Sequence, residues 1–186
     1  SIKNYQKALA LNPSYIEVYN NIGVAYNGWK RYEKAIEYLD KAINLNPAYA
    51  DAFNNRGNVY KELGKNEDAI QDYEKALELN PKDANARVNL ASVLYEKGSF
   101  EESSTLFQLA LDQNSNNLDA KFGLANCLLE QDNINYALCL YLEIIDVDPN
   151  YYYALNRIGV CYTKNGDLYK AERYFKKALN IKSDYF

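Results

Sequence analysis

The sequence predicts an all-α fold, a solenoid of antiparallel helix pairs, and three observations lead to this prediction. Prolines recur at intervals of 34 residues, with Pro13, Pro47 and Pro81 in succession and Pro149 two intervals beyond Pro81. Between the prolines, apolar residues follow the three-and-four spacing of one helix face. Two places in every interval hold small residues, which would let two helices cross closely.

The intervals define five full repeats and a preceding half repeat within a single predicted domain, residues 1–186. We number each full repeat from position 1 to position 34. The full repeats are 16–49, 50–83, 84–117, 118–151 and 152–185, and residues 1–15 are the second helix of a partial repeat. Proline at position 32 ends one helix pair and turns the chain into the next.

Each repeat is predicted to hold two short helices with a break near position 15. Glycine occupies that position in three repeats, at Gly64, Gly98 and Gly166. Residues just after the break are expected to cap the second helix, and these are Asn66, Ser99 and Asp167. Ser99 with Glu102 has the spacing of a capping box.

Large apolar residues at positions 4, 7, 11 and 24, small residues at 8, 20 and 27, and proline at 32 resemble the tetratricopeptide repeat (TPR) family. The resemblance covers all five full repeats and implies a right-handed superhelix whose first helices line a concave groove. Four residues depart from the pattern, namely Arg87 and Lys121 at position 4, Ser115 at position 32 and Ile144 at position 27. Either the stems of Arg87 and Lys121 pack while their charged heads reach solvent, or the superhelix changes curvature there.

The residue inventory argues against catalysis. The chain has no histidine, which removes the commonest general base and the usual nitrogen ligand of zinc. Cys127 and Cys161 share position 10 with small apolar residues of other repeats and are predicted in the core, whereas Cys139 is predicted to be exposed. We therefore expect no enzymatic activity, no cofactor and no metal site.

Charge and chain ends set further expectations. The net charge is −4 and the lysines form no single basic run, so neither nucleic acid nor a membrane surface is an expected partner. A cytoplasmic location is expected. The chain begins inside a repeat and reads as a fragment of a longer array without a closing helix after Asp184, Tyr185 and Phe186. End-to-end self-association of the fragment is expected from the two open ends.

The resemblance implies that positions 2, 5, 6, 9, 12 and 13 of the first helices meet a partner. Asparagine is frequent there, and its amide both donates and accepts hydrogen bonds, so a row of asparagines can hold the backbone of an extended peptide. The alternative is a compositional bias, because Asn44, Asn46, Asn80 and Asn114 near the helix ends read as cap or turn residues. The predicted partner-binding residues are Asn20, Asn54, Asn58, Asn89, Asn126, Tyr153, Asn156 and Arg157.

Carboxylates outnumber cations at positions 2 and 13, so the expected partner is a neutral to basic protein or peptide, extended or helical. Family members that hold the acidic tail of a chaperone use a basic clamp, and here Asp119 and Gly123 stand where that clamp has lysine and arginine. The leading hypothesis is a protein-interaction scaffold. Two alternatives are the substrate-recognition arm of a larger enzyme resembling an O-linked N-acetylglucosamine transferase, and a self-assembling structural repeat.

Overall fold

The computed structural model describes residues 2–183, with side chains up to residue 181, and every regular element in that part of the chain is an α-helix. This confirms the predicted all-α class. Asp184, Tyr185 and Phe186, which entered the expectation of an open end, lie outside the described residues. The helices are α1 (Ile2–Leu11), α2 (Ile16–Gly28), α3 (Tyr32–Leu45), α4 (Ala50–Glu62), α5 (Asn66–Leu79), α6 (Ala84–Glu96), α7 (Phe100–Gln113), α8 (Leu118–Glu130), α9 (Ile134–Val147), α10 (Tyr152–Lys164) and α11 (Leu168–Ser183).

The chain forms two compact units, Ser1–Val93 and Leu94–Phe186. In the first unit, α2 packs on α3, α3 on α4, and α4 on α5. In the second unit, α7 packs on α8, α8 on α9, α9 on α10, and α10 on α11. Each connection within these units is only a few residues long, so consecutive helices run antiparallel.

Each unit has its own apolar core. The first core includes Val18, Ile22, Leu39 and Val59, and the second includes Tyr141 and Ile158, all of them buried. Apolar burial of this kind supplies most of the stability of short helices.

Glycine at position 8 permits the predicted close crossing of the two helices in a repeat. A Cβ atom on Gly23 would lie 2.5 Å from the Leu39 side chain and 3.2 Å from the Ala35 carbonyl oxygen. A Cβ on Gly57 would lie 2.7 Å from the Tyr73 ring. The glycine therefore faces the large residue at position 24 more closely than the small residue at position 20.

Position 15 has left-handed backbone in all five full repeats. Gly64, Gly98 and Gly166 have φ angles of 70°, 83° and 81°, as the glycine pattern predicted. Lys30 and Asp132 occupy the same position with φ angles of 56° and 62°. Only glycine adopts this conformation without strain, so the same turn is built at an energetic cost in two repeats.

The predicted helix caps are only partly present. Asp167 Oδ1 accepts from the Lys170 backbone N at 3.0 Å, which confirms its capping role. The cap at Asn66 is wrong, because α5 begins at Asn66 and its N-cap residue is Lys65. The capping box at Ser99 is also wrong, because Ser99 makes no side-chain capping bond and its ψ of 63° departs from the extended backbone of an N-cap.

The side chain at position 31 closes the turn between repeats whether or not proline follows it. Oδ1 of Asn46, Asn80 and Asn114 accepts from the backbone N two residues later, at 3.0, 3.3 and 3.1 Å. These three residues are therefore turn residues, as predicted, whereas Asn44 lies inside α3. Ser115 replaces proline without loss of the turn, because Asn114 still closes it.

The two cations at position 4 find partners within their own units. Lys121 Nζ lies 2.7 Å from Glu143 Oε2 with only 15% of its side chain exposed, so its stem packs while its head forms an ion pair. Arg87 donates from one terminal nitrogen to the Pro81 carbonyl oxygen.

Across residues 2–183, no helix has the length and apolar character of a membrane span.

Candidate functional site

The first unit contains an asparagine cluster, which we define as Asn20, Asn54, Asn55, Asn58 and Asn89. Asn55 Nδ2 donates to Asn20 Oδ1 at 2.8 Å. Asn89 Nδ2 donates to both Asn54 Oδ1 and Asn58 Oδ1 at 3.0 Å. Position 6 of one repeat thus donates to position 5 of the repeat before it, so the amides hold one another in fixed orientations.

These bonds determine which polar atoms of the cluster remain for a partner. Asn20 is only 6% exposed and its side-chain oxygen accepts from Asn55, so it is less accessible to a partner than its position in the repeat suggests. Asn54, Asn58 and Asn89 are partly exposed. Within the described residues, Nδ2 of Asn54 and of Asn58 has no hydrogen-bond acceptor and Oδ1 of Asn89 has no donor. Asn54, Asn58 and Asn89 therefore present two fixed donors and one acceptor.

Asparagine at position 9 accepts a hydrogen bond from a buried tyrosine in two repeats. Tyr73, which is completely buried, donates from its hydroxyl to Asn58 Oδ1 at 2.8 Å. Tyr141, also completely buried, donates to Asn126 Oδ1 at 2.6 Å. Burial raises the pKa of Tyr141. Because Asn126 is only 9% exposed, its main role is to satisfy a buried hydroxyl.

The second unit contains an aromatic cluster, which we define as Phe122, Tyr151, Tyr152 and Tyr153. The Phe122 ring centroid lies 5.5 Å from that of Tyr151 and 6.5 Å from that of Tyr153. The Tyr152 and Tyr153 centroids are 4.0 Å apart. Tyr153 is 57% exposed, so its ring is accessible to solvent.

Two cavities border the aromatic cluster. One, of about 230 Å³, is lined by Asp148, Asn150, Tyr151, Tyr152 and Tyr153. The other, of about 470 Å³, lies between α10 and α11 and is lined by Tyr152, Tyr153, Asn156, Phe175, Ala178 and Leu179. Asn156 and Tyr153 therefore line the same cavity.

Two carboxylates act on Tyr151 of the aromatic cluster. Burial raises the pKa of Tyr151, and the carboxylates of Asp119 and Asp148 act in the same direction. Arg157 is half-buried in α10, and its charge opposes the effect of burial on the pKa of Tyr141 and Cys161. Arg157 is thus a partly buried cation that acts on the buried Tyr141 and Cys161.

A polar triad in the first unit was not predicted. Arg56 donates to both carboxylate oxygens of Asp72, at 2.8 and 2.7 Å, and to Asp40 at 2.6 Å. The Arg56 and Asp72 side chains are 20% and 7% exposed. The hydrogen bond to Asp72 raises the pKa of Arg56, so the guanidinium stays charged inside the repeat.

The cysteines lie where the sequence placed them. Cys127 and Cys161 are buried and Cys139 is exposed. Burial raises the pKa of Cys127, and it raises the pKa of Cys161 to about 11, so neither is a reactive thiolate at neutral pH. In the described part of the chain, no group of three or more histidine, cysteine or acidic side chains could hold a metal ion.

Several solved structures share this fold. YrrB, described as a TPR protein with an unusual peptide-binding site, is 26% identical over 99% of this chain and 95% of its own, with a TM-score of 0.80. MamA from Desulfovibrio magneticus is 16% identical over 91% of this chain and 96% of its own, with a TM-score of 0.82. PilF from Pseudomonas aeruginosa is 20% identical over 89% and 75%, with a TM-score of 0.81. No curated protein sequence matches the chain significantly.

Comparison of the sequence with family models also identifies these repeats. A model described as TPR repeat matches residues 1–27, 30–64 and 57–98, and one described as tetratricopeptide repeat matches residues 152–185. These matches leave 99–151 uncovered, which includes the departures Ser115, Lys121 and Ile144. More than half of the chain is matched, and the matched segments carry the helix pairs described above, so the chain belongs to the tetratricopeptide repeat family.

Proposed function

We propose that the chain is a protein-interaction scaffold that holds an extended or helical partner segment, neutral to basic in charge, against its first helices. The observation that carries this proposal is the asparagine cluster, whose amides are fixed by one another and still present unpaired donors and an acceptor. Fixed polar groups bind with less loss of conformational freedom than mobile ones. The similarity to YrrB, described as having a peptide-binding site, supports the same class of function.

In the first unit, the proposed contacts are made to the partner's backbone. Nδ2 of Asn54 and Asn58 would donate to backbone carbonyl oxygens, and Oδ1 of Asn89 would accept from a backbone N–H. Asn20 contributes by holding Asn55 in place. Backbone contacts of this kind give affinity with little dependence on the partner's side chains.

In the second unit, the proposed contacts are of a different kind. Tyr153 and Asn156 border the same cavity and would contact side chains of the partner. Asn126 and Arg157 are proposed to support this surface rather than to contact the partner directly, since Asn126 is buried against Tyr141 and Arg157 is half-buried. The partner's side chains are therefore selected mainly on this unit.

Selection of peptides from a displayed random library tests the proposal. The Asn54→Ala, Asn89→Ala double variant removes cluster amides but leaves Asn58 to accept from Tyr73, so the fold is expected to persist. The wild type is expected to enrich a set of peptides, and this variant is expected to lose most of them. The matched control is Asn44→Ala with Asn116→Ala, which removes two exposed amides elsewhere in the chain. No enrichment by the wild type, or equal enrichment by both variants, would contradict the proposal.

A further inference from the structure

The smaller cavity beside the aromatic cluster has the dimensions of a site for one side chain. Its volume is about 230 Å³, whereas sites for whole small molecules usually measure about 300–1,000 Å³. Its lining combines one carboxylate, Asp148, with the three consecutive tyrosines Tyr151, Tyr152 and Tyr153. An occupant must therefore suit both aromatic faces and a negative charge.

Elsewhere in this protein, several tyrosine rings have a lysine or arginine over one face. Lys41 Nζ lies 4.9 Å from the Tyr38 ring centroid, Lys170 Nζ lies 5.1 Å from that of Tyr162, and Lys177 Nζ lies 5.3 Å from that of Tyr174. Among the described residues, no lysine or arginine lies over a ring of the aromatic cluster. Within the described structure, the cluster thus presents aromatic faces that no cation of the chain occupies.

The charge on Asp148 is not needed for the local fold. Asp148 stands at position 31, where Asn46, Asn80 and Asn114 form the same turn with a neutral amide. Asp148 forms this turn through Oδ1, which accepts from the Asn150 backbone N at 3.0 Å. The negative charge at this position is therefore an addition that the turn itself does not explain.

We propose that this cavity binds a lysine or arginine side chain of the partner segment. The cation lies within about 6 Å of the tyrosine ring centroids, where the ring quadrupole attracts it, and it pairs with the Asp148 carboxylate. Asp119 adds to the negative potential around Tyr151. This inference rests on the proposed scaffold function and names the chemistry that this surface selects.

Titration with two small probes, followed by NMR of the tyrosine ring signals, tests the inference. The probes are Nα-acetyl-lysine amide and Nα-acetyl-norleucine amide, which have similar length and differ in charge. The lysine probe is expected to shift the ring signals of Tyr151, Tyr152 and Tyr153 in a saturable manner, and the norleucine probe is expected to leave them unchanged. Equal shifts with both probes, or no shift with the lysine probe, would overturn the inference.

Two variants test whether Asp148 and Tyr153 bind the lysine probe. Asp148→Asn keeps the turn, because asparagine makes it in other repeats, and is expected to weaken the lysine probe at least about threefold. Tyr153→Leu keeps apolar bulk but removes a ring face, and a loss of about two- to fivefold is expected. Asp112→Asn is the control, since it removes the same charge on α7 and keeps an acceptor for Gln108. A loss with the control as large as with Asp148→Asn would show a general charge effect and overturn the assignment.

This titration and the library selection fail in different ways. Enriched peptides without a basic residue, or basic peptides that Asp148→Asn retains in full, would leave the scaffold function standing and overturn the basic side-chain site. A library without any enriched peptide would overturn the scaffold function and, with it, this site as part of a peptide-binding surface.

Discussion

The repeats 50–83 and 118–151, one in each unit, use the same positions for different chemistry. Position 5 is Asn54 in the first and Phe122 in the second. Positions 7 and 23, which hold the ion pair of Arg56 and Asp72 in the first, are Leu124 and Leu140 in the second. Both repeats nevertheless join a position-24 tyrosine to a position-9 asparagine, Tyr73 to Asn58 and Tyr141 to Asn126.

This difference shows which positions the fold constrains and which it leaves open. The tyrosine and asparagine pair is kept where the surrounding residues change, because a buried hydroxyl requires an acceptor. Position 5 changes from an amide to an aromatic ring while the helix pair is kept, although Phe122 packs against the core of the second unit. The first repeat thus offers contacts to a backbone, and the second offers contacts to side chains.

The largest expected effect comes from breaking the ion pair that distinguishes the two repeats. Arg56→Leu leaves Asp72 buried without its partner, so we expect a loss of about 3 kcal/mol in the free energy of unfolding. Arg56→Leu with Asp72→Leu installs the leucine pair of repeat 118–151, and its stability is expected to be within about 1 kcal/mol of the wild type or above it. Chemical denaturation with a circular dichroism readout measures both values.

Lys121→Leu provides the control for this comparison. It also removes a cation from an ion pair, but its partner Glu143 is 57% exposed and becomes solvated. A change within about 1 kcal/mol is therefore expected. If Arg56→Leu costs no more than Lys121→Leu, the buried triad does not stabilise the repeat in the manner described.

The pair that the two repeats share gives the next largest effect. Asn126→Val leaves the buried Tyr141 hydroxyl without an acceptor, and we expect a loss of about 1–3 kcal/mol. Adding Tyr141→Phe removes the hydroxyl and creates the combination of Phe175 with Val160 found in repeat 152–185, so most of the loss is expected to be recovered. A double-mutant cycle by thermal unfolding measures the coupling. Additive losses in the two single variants would show that the hydrogen bond contributes nothing specific.

The fold was predictable because its signals repeat. Small residues at position 8, glycine at position 15 and the apolar face recur in successive repeats, so a chance match in one repeat is corrected by the others. The cap at Asn66 was wrong because α5 begins at Asn66 and its N-cap residue is Lys65. Ser99 does stand at the N-cap of α7, but its side chain makes no capping bond. A capping residue type at the right position therefore does not ensure a capping bond.

The roles of individual asparagines were harder to predict, although one signal was present in the sequence. Asparagine occurs at position 9 only in the repeats with tyrosine at position 24, whereas Leu39, Phe107 and Phe175 accompany Val24, Ser92 and Val160. Comparing repeats by pairs of positions would have identified Asn58 and Asn126 as acceptors. The bonds from Asn55 to Asn20 and from Asn89 to Asn54 join different repeats, and their geometry depends on how those repeats pack.

The smallest expected effect concerns the turn at position 15, where the two units each contain one exception to glycine. Asp132→Gly relieves a left-handed non-glycine residue, and Lys30→Gly does the same in the first unit. Each substitution is expected to raise the free energy of unfolding by about 0.5–1 kcal/mol. This value is the strain energy relieved in the folded state minus the cost of the greater entropy that glycine gives the unfolded chain. The gain at Asp132 is expected to be slightly smaller, because its ion pair with Lys164 at 3.3 Å is lost, although that exposed pair contributes little. Unchanged or lowered unfolding midpoints in both variants would show that the strain at this turn is absorbed by its neighbours. A gain in only one variant would indicate that the two turns differ in more than the residue at position 15.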